Sequence, residues 1–432
     1  MEKAEKYLAN LARFGVHLGL ERIKMLLEFL DNPQNNLKFI HIGGTNGKGA
    51  VSVMIARILE ETGLRTGLFL SPHLSSYRER ISVNGELISE SELEGILKLL
   101  LPLAKKVKEQ LGEPPTEFEV LTAASLFYFK MLNADIAVLE VGLGGELDST
   151  NIVMPLVAVI TTVGFDHQDR LGETIEEIAS AKAGIIKERI PIISGTRDET
   201  AIKVIEKRAQ QQKAPFYLLD RDFFTYDVRT DKNGTRFGVR GLKNTYESLF
   251  VPLKGRHQAQ NAACAIAALE VIESKGYLLS STALRKGLER SFLPARMEII
   301  REKPTVILDV AHNPQATSAL VSVLNKLSYK RLFLIMGMLA DKDRKEAVEI
   351  LTPFAFKFIV TRPQNERAGN WQEIARMAKG NGEVVIIEDI EKAIDEALRE
   401  AEDDDLILIT GSFYVVGEAR QSLVQKFSIL SK

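Results

Sequence analysis

The hydrophobic positions of the chain alternate between short apolar runs and longer segments in which apolar residues recur at helical spacing. Three runs are apolar almost throughout, as in strands buried on both faces of a sheet: 37–42, 135–142 and 157–164. Three segments around them have the spacing of amphipathic helices: 49–61, 89–111 and 117–132. This alternation predicts a mostly parallel sheet with helices on its faces. We expect the last two of the three runs to lie side by side in its middle.

Two further patterns indicate antiparallel strands. In 80–88, Asn84 and Gly85 stand between alternating residues, which is a strong signal for a β-hairpin. From about 222 to 252, short alternating segments replace the long apolar runs, and this change predicts a small antiparallel insertion. Residues 260–276 return to a helical pattern and close this part of the chain.

After about residue 300 the alternation of strand and helix starts again. Five apolar runs are separated by helical patterns that begin near residues 315, 344, 371 and 391. They predict a second parallel α/β unit of about 130 residues, a normal size for a domain. We place the boundary near residue 295, which gives domains of 1–295 and 296–432.

Composition and charge narrow the class of protein. With 45% hydrophobic and 26% charged residues and a formal net charge of −2, the chain has no basic footprint for nucleic acid. Its single cysteine, Cys264, excludes an internal disulfide and a cysteine zinc site, and is expected to be buried and inert. Residues 1–15 are charged and amphipathic, unlike a secretory signal, and no apolar run approaches the roughly 18 to 20 residues of a membrane span. We expect a monomeric cytoplasmic enzyme acting on small molecules, without nucleic-acid or membrane partners.

The segment 42–52, IGGTNGKGAVS, joins a predicted strand to a predicted helix. Its glycines allow backbone N–H groups to converge on an anion, the helix start points at the same place, and Lys48 can neutralise the outer charge. A structural turn is the alternative, but the Gly47-Lys48 pair at the helix start favours a phosphate-binding loop. The usual signature is broken at Ile42 and at Gly49, so the hydroxyl that ordinarily ligates Mg²⁺ must come from elsewhere.

Eight motifs follow one another along the chain: HIGGTNGKGAVS, FLSPHLSSYRERI, LEVGLGGELDSTN, GFDHQDRLGETIEEIASAKAGIIK, GRHQAQNAACA, LDVAHNP, MLADKD and GSFYVVGE. Over residues 19–417 they resemble the folylpolyglutamate synthase and dihydrofolate synthase family of the Mur ligase superfamily. In that family the glycine loop is shorter than the ordinary phosphate loop, and Ala50 stands here where serine is usual. The resemblance implies a P-loop-type parallel-sheet ATPase domain with a small antiparallel β insertion, followed by a C-terminal Rossmann-like α/β domain.

The reaction implied by the resemblance is ATP-dependent addition of L-glutamate to a folate carboxylate. A carboxylate is a poor electrophile, so its oxygen first attacks the γ-phosphate to give an acyl phosphate, from which the glutamate amine displaces phosphate. The implied cofactors are ATP, two Mg²⁺ ions and a carbamate on a lysine, and the implied substrates are ATP, L-glutamate and a reduced folate. Whether the enzyme also makes dihydrofolate from dihydropteroate stays open, because no residue marks a pteroate pocket.

The resemblance also implies which residues bind the nucleotide: Gly44, Thr45, Asn46, Gly47, Lys48, Gly49, Gln258, Asn261, Arg296 and Asp309. Gln258 and Asn261 are three residues apart and share a helix face, and their amides can read the edge of adenine. The Arg296 guanidinium is permanently charged, and its forked N–H donors suit phosphate. Leu293 and Ala295, however, replace the tryptophan and glycine that usually neighbour it.

Ser71 and Glu140 fall at the carboxyl ends of predicted parallel strands, where α/β sheets hold their ligands, and both offer hard oxygen atoms to Mg²⁺. By resemblance, His167 is a ligand of a second Mg²⁺. Lys182 matches a lysine that is carbamylated in the superfamily, whereas the residues alone would favour a surface lysine. Ala181 replaces the glutamate that usually precedes it.

The resemblance places Tyr77 and Arg80 beside the folate, as candidates for its pteridine or its carboxylate tail. Asp309 and His312 come from the second domain, and closure of a cleft between domains would deliver them to nucleotide and glutamate. The expected catalytic residues are therefore Lys48, Glu140, His167, Lys182, Asp309 and His312. Glu146 reverses the charge of the usual arginine, and nothing in the sequence explains the change.

Three other functions remain open. A Mur-type ligase for nucleotide-sugar peptides usually carries a separate N-terminal domain, and the glycine loop beginning at residue 43 leaves no room for one. A guanine-nucleotide switch needs an Asn-Lys-x-Asp motif, and NKLS at 325–328 lacks the aspartate. The third is a binding protein with a regulatory second domain. ATP turnover that requires both folate and glutamate would separate the ligase from these alternatives.

Overall fold

The computed structural model describes Leu8, Leu11 and residues 19–430 apart from Asn381. The amphipathic segment expected in residues 1–15 lies, but for Leu8 and Leu11, outside the described residues. Within the described part of the chain, no helix is long and apolar enough to cross a membrane.

The first sheet contains, within the described residues, eight strands: β1 (Phe39–Gly43), β2 (Thr66–Phe69), β3 (Ile81–Val83), β4 (Glu86–Leu87), β5 (Ile136–Glu140), β6 (Val157–Ile160), β7 (Ile192–Ser194) and β8 (Phe216–Leu218). Their order is β4-β3-β2-β5-β1-β6-β7-β8, with parallel pairing from β2 to β8. Because β1 lies between β5 and β6, the prediction that these two strands are neighbours is wrong. All three strands are fully buried, and burial alone does not rank strands within a sheet.

Helices cover both faces of this sheet: α1 (Glu21–Glu28), α2 (Lys48–Glu61), α3 (Glu90–Leu111), α4 (Glu117–Met131), α5 (Gln168–Leu171), α6 (Ile175–Ala183), α7 (Glu199–Gln211), α8 (Arg256–Glu273) and α9 (Ser281–Glu289). Ile40 and Ile42 of β1 face a core that includes α2, α8 and α9. Phe39 faces a second core that includes α1, α3 and α4. Alternate side chains of one central strand thus join two apolar layers, as a doubly covered sheet requires.

Both predicted antiparallel elements are confirmed. β3 and β4 form a hairpin in which Asn84 and Gly85 have φ angles of 49° and 80°, the left-handed conformation that a tight hairpin turn needs. The insertion is a separate antiparallel sheet in the order β11-β10-β9, formed by β9 (Phe224–Asp231), β10 (Gly234–Arg240) and β11 (Thr245–Val251).

The C-terminal sheet follows a connection from α9 to β12, and the expected boundary at residues 295 and 296 within this connection stays a prediction. Its strands are β12 (Glu298–Glu302), β13 (Thr305–Leu308), β14 (Leu332–Met336), β15 (Lys357–Val360), β16 (Glu383–Ile386) and β17 (Leu406–Thr410). Its helices are α10 (Pro314–Leu324), α11 (Arg344–Leu351), α12 (Ile374–Met377), α13 (Ile390–Glu400) and α14 (Phe413–Leu430). The strand order is β12-β13-β17-β14-β15-β16, and only β12 is antiparallel. The parallel unit is confirmed, whereas β12 and α14 were not predicted from the sequence.

The two sheets bring their carboxyl ends to a common region. In the first sheet, Ile42 is paired with Glu140, and Gly43 is paired with Ile160, so the segments that follow β1, β5 and β6 leave the same edge. In the second sheet, Asp309 follows β13 and Ser412 precedes α14. Ligands of α/β sheets bind at such edges, so this region is the candidate site.

Candidate active site

The glycine loop needs glycine at two positions. Gly44 has a φ of 136°, and a Cβ added there would lie 2.0 Å from Thr161 Oγ1. Gly47 has a φ of 87°, and its added Cβ would lie 2.5 Å from Asn261 Oδ1. Since side chains rarely adopt these conformations and space is lacking as well, the loop requires glycine for both reasons.

Hydrogen bonds from the end of β6 hold the loop in place. Thr45 N–H donates to the Thr162 carbonyl at 2.8 Å, and Asn46 N–H donates to Thr162 Oγ1 at 3.0 Å. Lys48, the first residue of α2, donates from Nζ to the Thr45 carbonyl at 3.2 Å. The lysine therefore curls back over the loop at a helix N-terminus, the arrangement expected for binding phosphate.

Glu140 ends β5 at the floor of the site and is only 4% exposed. Its Oε2 accepts the Ser71 N–H at 2.9 Å, and a Cβ on Gly49 would lie 3.6 Å from the same oxygen. Burial raises the pKa of Glu140, while Lys48, the Ser71 N–H and Arg296 oppose the rise. The structure thus brings together Ser71 and Glu140, two of the three predicted metal ligands, next to the glycine loop.

Lys182 is buried on α6 rather than exposed on a helix surface. Its Nζ donates to the Gly44 carbonyl at 3.1 Å. Burial, together with the positive charge of Lys48, lowers the pKa of Lys182 to about 7. An amine with this pKa is largely uncharged slightly above neutrality, which is the state that reacts as a nucleophile.

Charged groups of the two domains meet in an interdomain cluster formed by Asp166, His167, His312, Asn313 and Lys342. Lys342 Nζ lies 2.5 Å from Asp166 Oδ1 and 3.1 Å from His167 Nε2. His312 donates from Nδ1 to the Val310 carbonyl at 2.8 Å and turns Nε2 toward Asp166 Oδ2 at 3.6 Å. Sequence reasoning identified the two histidines and missed the aspartate and the lysine that hold them.

The charges in this cluster are strongly coupled. Burial acts to raise the pKa of Asp166, but the hydrogen bond from His312 and the charge of Lys342 outweigh it and hold this pKa well below its usual range. Burial and Lys342 lower the pKa of His167 to about 4. Because Lys342 can only donate, His167 Nε2 is the acceptor, and the imidazole is neutral and able to ligate a metal.

Asn46 links the glycine loop directly to the C-terminal domain. Its Nδ2 donates to Asn313 Oδ1 at 3.3 Å and to Gln315 Oε1 at 2.8 Å, and Asn313 Nδ2 donates back to Asn46 Oδ1 at 3.1 Å. Asn313 also donates to Asp166 at 3.2 Å. Asn313 and Asp166 belong to the motifs LDVAHNP and GFDHQDRLG, so a signal for them existed, but motif order alone did not reveal their contact.

Two predicted nucleotide residues, Gln258 and Asn261, lie on the first turns of α8. Asn261 Nδ2 donates to Gln258 Oε1 at 3.0 Å, which confirms that they share one face. Gln258 Nε2 lies 3.1 Å from Nε2 of His257, a neighbour that was not predicted, and burial lowers the pKa of this histidine to about 4. The amide face borders Gly47 and therefore the glycine loop.

Arg296 and Asp309 lie between the two sheets. Burial lowers the pKa of Arg296 and raises that of Asp309, and each charge opposes the shift of the other. Asp309 accepts N–H groups of Met297 and Ala311, both at 2.9 Å. The Arg296 guanidinium carbon lies 5.3 Å from the centre of the Phe413 ring, a cation–π distance.

Arg80 already has protein partners. Its Nε donates to His73 Nδ1 at 2.8 Å, its guanidinium lies 3.3 Å from Glu117, and it stands 5.6 Å from the centre of the Tyr77 ring. Burial raises the pKa of Tyr77, and the charge of Glu117 adds to the rise. The two residues expected beside the folate are thus together, and Glu117 is a half-buried partner that sequence reasoning missed.

The departures from the family motifs are accommodated in different ways. Ala50 is buried in α2, as expected for a helix residue without a metal role. Ala295 is buried with a φ of 56°, a left-handed position where glycine would be unstrained. The Glu146 backbone donates to the Ala181 carbonyl at 2.9 Å while its side chain is exposed. Nothing in the structure explains why residue 146 is acidic.

Comparisons with known proteins agree with this geometry. Residues 42–269 match the Mur ligase middle domain, and residues 295–413 match the Mur ligase glutamate ligase domain. A Bacillus subtilis protein named dihydrofolate synthase/folylpolyglutamate synthase is 34% identical over 98% of this chain and 99% of its own. The chain belongs to the folylpolyglutamate synthase and dihydrofolate synthase family. The resemblance inferred from the motifs is confirmed.

Other members of the folylpolyglutamate synthase family match over similar lengths. The Lacticaseibacillus casei folylpolyglutamate synthase is 35% identical, with 96% of each chain covered. The structure of Mycobacterium tuberculosis folylpolyglutamate synthase complexed with ADP and AMPPCP has a TM-score of 0.90 at 32% identity, covering 98% of both chains. The predicted fold class and ligase class are therefore confirmed.

Proposed function

We propose that the protein is an ATP-dependent ligase that adds L-glutamate to a folate carboxylate. One observation carries this proposal: the buried Glu140 lies beside the glycine loop, where the charges of Lys48 and of Arg296, at the junction with the second domain, both act to lower its pKa. A site for joining two carboxylate substrates beside a triphosphate needs cations that converge from several directions, because it must neutralise a polyanion.

The family relatives support the choice of substrates. The M. tuberculosis relative was crystallised with ADP and with AMPPCP, a nucleotide of ATP type. The B. subtilis relative carries the names of both dihydrofolate synthase and folylpolyglutamate synthase, whereas the L. casei relative carries the second name only. Dihydrofolate synthesis from dihydropteroate is therefore a second candidate activity of the same site.

The nucleotide is assigned to residues around the glycine loop and α8: Gly44, Thr45, Asn46, Gly47, Lys48, Gly49, Gln258, Asn261, Arg296 and Asp309. The glycine loop and Lys48 would hold the phosphates, since the loop leads into the N-terminus of α2 and Lys48 is the first residue of that helix. The paired amides of Gln258 and Asn261 would read adenine. Tyr77, Arg80 and His312 are assigned to folate and glutamate.

Magnesium fits the donors that the site offers. No group of three or more His, Cys, Asp or Glu side chains in the described part of the chain could hold a metal alone. Mg²⁺, however, is commonly bound by one or two protein oxygens together with phosphate and water. Ser71 and Glu140 would hold one ion and His167 a second, and the bound ions would neutralise charge on the phosphates.

The reaction then proceeds in two displacements. A folate carboxylate oxygen attacks the γ-phosphorus of ATP, the bond to the β,γ-bridging oxygen breaks, and ADP leaves. The glutamate amine attacks the resulting acyl carbon, phosphate leaves, and the nitrogen loses a proton to give the amide. Lys48 and Arg296 stabilise the negative charge of the first step, and docking of the domains excludes water that would hydrolyse the acyl phosphate.

A carbamate on Lys182 completes the proposal. The neutral Lys182 amine adds to CO₂ and releases a proton, which turns a buried neutral amine into an anion. The low pKa of about 7 supports this step because the amine need not lose its proton at high pH. The resulting group would offset the positive charge of Lys48, which lies close enough to shift the pKa of Lys182.

The decisive experiment supplies ATP, Mg²⁺ and L-glutamate with either a reduced folate or dihydropteroate, and identifies the products by mass. We expect a reduced folate extended by one glutamate, with stoichiometric ADP and phosphate. A dihydrofolate product from dihydropteroate would add the second activity. ATP turnover at the same rate without folate and glutamate would rule out the ligase.

A further inference from the structure

Both ends of the segment 71–80, which we call the site loop, meet the active site. At its start, the Ser71 N–H donates to the catalytic carboxylate of Glu140 at 2.9 Å. At its end, the Arg80 carbonyl accepts the Leu70 N–H at 2.9 Å, and the Arg80 side chain lies against Tyr77. The position of this loop therefore decides where a metal ligand and two folate residues stand.

The middle of the site loop is shaped by one carboxylate. Glu79 accepts the N–H groups of Leu74, Ser75 and Ser76 at 2.8, 3.0 and 2.9 Å. In this conformation the Leu74 side chain packs against a core of the C-terminal domain that includes Val415. A residue of the N-terminal domain is thus anchored in the other domain.

Leu74 lies against helix α14 at Gly417. A Cβ added to Gly417 would lie 2.3 Å from the carbonyl oxygen of Leu74, a backbone atom that cannot move without moving the loop. Gly417 does not have a left-handed φ, so its backbone gives no reason for glycine, and glycine is unfavourable inside a helix compared with alanine. The close contact with the site loop supplies the reason.

The same helix also contacts the nucleotide side of the site. Phe413, four residues before Gly417 and so on the same helix face, lies 5.3 Å from the Arg296 guanidinium carbon and 5.8 Å from the His312 ring. One face of α14 therefore spans from two predicted ligand residues to the site loop.

We propose that Leu74 and Gly417 are positioning residues that make the arrangement of the site loop depend on docking of the C-terminal domain. When α14 holds Leu74, the loop places Ser71 for the metal and Tyr77 and Arg80 for folate. When it does not, these residues lose their common support, while the backbone of the glycine loop stays bonded to Thr162 of its own domain. The identity of folate as the substrate rests on the proposed function.

The test compares Gly417→Ala and Leu74→Ala with Gly95→Ala, a helical glycine of α3 whose added Cβ would meet no atom within 4 Å. Hydrogen exchange of residues 71–80 is measured in the protein without substrates, and KM is measured for folate and for ATP. We expect faster exchange in both test variants and a KM for folate raised about tenfold or more, since displacement of about 1 Å is enough for such losses. The KM for ATP should change less than about twofold, and Gly95→Ala should match the wild type in every measurement.

Unchanged exchange and unchanged folate KM in both test variants would overturn the proposal. An equal rise in the KM for ATP would also overturn it, because it would indicate general loosening of the site. If Gly417→Ala does not fold, Leu74→Ala decides, since it only shortens a half-buried side chain. If the wild type does not extend folates, the proposed function fails, whereas the exchange measurement still decides whether α14 holds the site loop.

Discussion

The glycine loop and the interdomain cluster lie side by side but are built in different ways. The backbone of the loop is held within its own domain, by glycines with positive φ and by hydrogen bonds to Thr162, although the Asn46 side chain also bonds to the C-terminal domain. The cluster forms only where Asp166 of one domain meets Lys342 and Asn313 of the other. The first can exist in a single domain and the second cannot. Nucleotide binding and the chemical step should therefore respond differently to mutation.

Removing the charge of Glu140 should have the largest effect, because this buried carboxylate lies beside the glycine loop and is a proposed ligand of Mg²⁺. Glu140→Gln should lower kcat by about 1,000-fold, the cost of losing a preorganised electrostatic group. Steady-state kinetics measures the loss. Glu146→Gln, in the exposed segment that follows, is the control and should retain activity. Similar kcat values for the two variants would remove Glu140 from the site.

Replacing Lys182 tests whether the site needs a carbamate anion next to the glycine loop. Lys182→Ala should lower kcat by about 100-fold, as loss of a group that supports metal ligands commonly does. In the wild type, mass spectrometry of the native protein should detect an added CO₂. Its occupancy should rise as the pH increases through about 7, because the amine becomes neutral there. Near-normal turnover of Lys182→Ala would refute the carbamate.

Asp166→Asn tests most directly whether the interdomain cluster and the glycine loop act separately. The change removes the charge that faces Lys342 and His312, so kcat should fall by about 10- to 100-fold, while the Kd for ATP stays within about threefold. Calorimetry and single-turnover kinetics measure the two quantities. Asp169→Asn, an exposed aspartate three residues later, should affect neither. Equal losses in ATP binding and in kcat would show that the regions are not separable.

Gly47→Ala tests the glycine loop by itself. Gly47 and Gly63 have nearly the same φ, 87° and 89°, but an added Cβ meets Asn261 Oδ1 at 2.5 Å in the first and nothing within 4 Å in the second. Both alanine variants should lose about 1 kcal/mol of folding stability from backbone strain. Only Gly47→Ala should weaken nucleotide binding, by about tenfold. Thermal unfolding and ATP titration separate the two effects, and equal ATP affinities would show that the contact with Asn261 is unimportant.

The smallest expected effect concerns the thiol reactivity of Cys264, because this residue lies outside both the glycine loop and the interdomain cluster. Burial raises the pKa of its thiol to about 12, and a Cβ on Gly195 would meet its sulfur at 2.8 Å. The native protein at pH 8 should therefore not react with a thiol reagent, whereas the unfolded protein should react once per chain. Spectrophotometric titration with and without denaturant measures this difference. Rapid reaction of the native protein would show that α8 opens.

The order of elements along the chain was largely accessible from the sequence. The hairpin at Asn84 and Gly85, the antiparallel insertion and the second parallel unit are all confirmed, because each depends on local periodicity or turn chemistry. Strand order was not accessible, since β1, β5 and β6 are equally apolar and any of them could occupy the centre. β12 was missed because its register along β13 is interrupted by a bulge and its pattern is short.

The candidate site likewise divides into residues that the sequence identifies and contacts that only the structure reveals. The sequence by itself determined the glycine loop, Lys48 and the strand-end residues Ser71 and Glu140, because residue type and position relative to a strand define them. Only the tertiary structure decided that Lys182 is buried against Gly44, that Arg80 is paired with Glu117, and that Gly417 of α14 lies against Leu74. These are contacts between residues distant in the chain. Desolvation and charge pairing act through space, so no local pattern of the sequence records them.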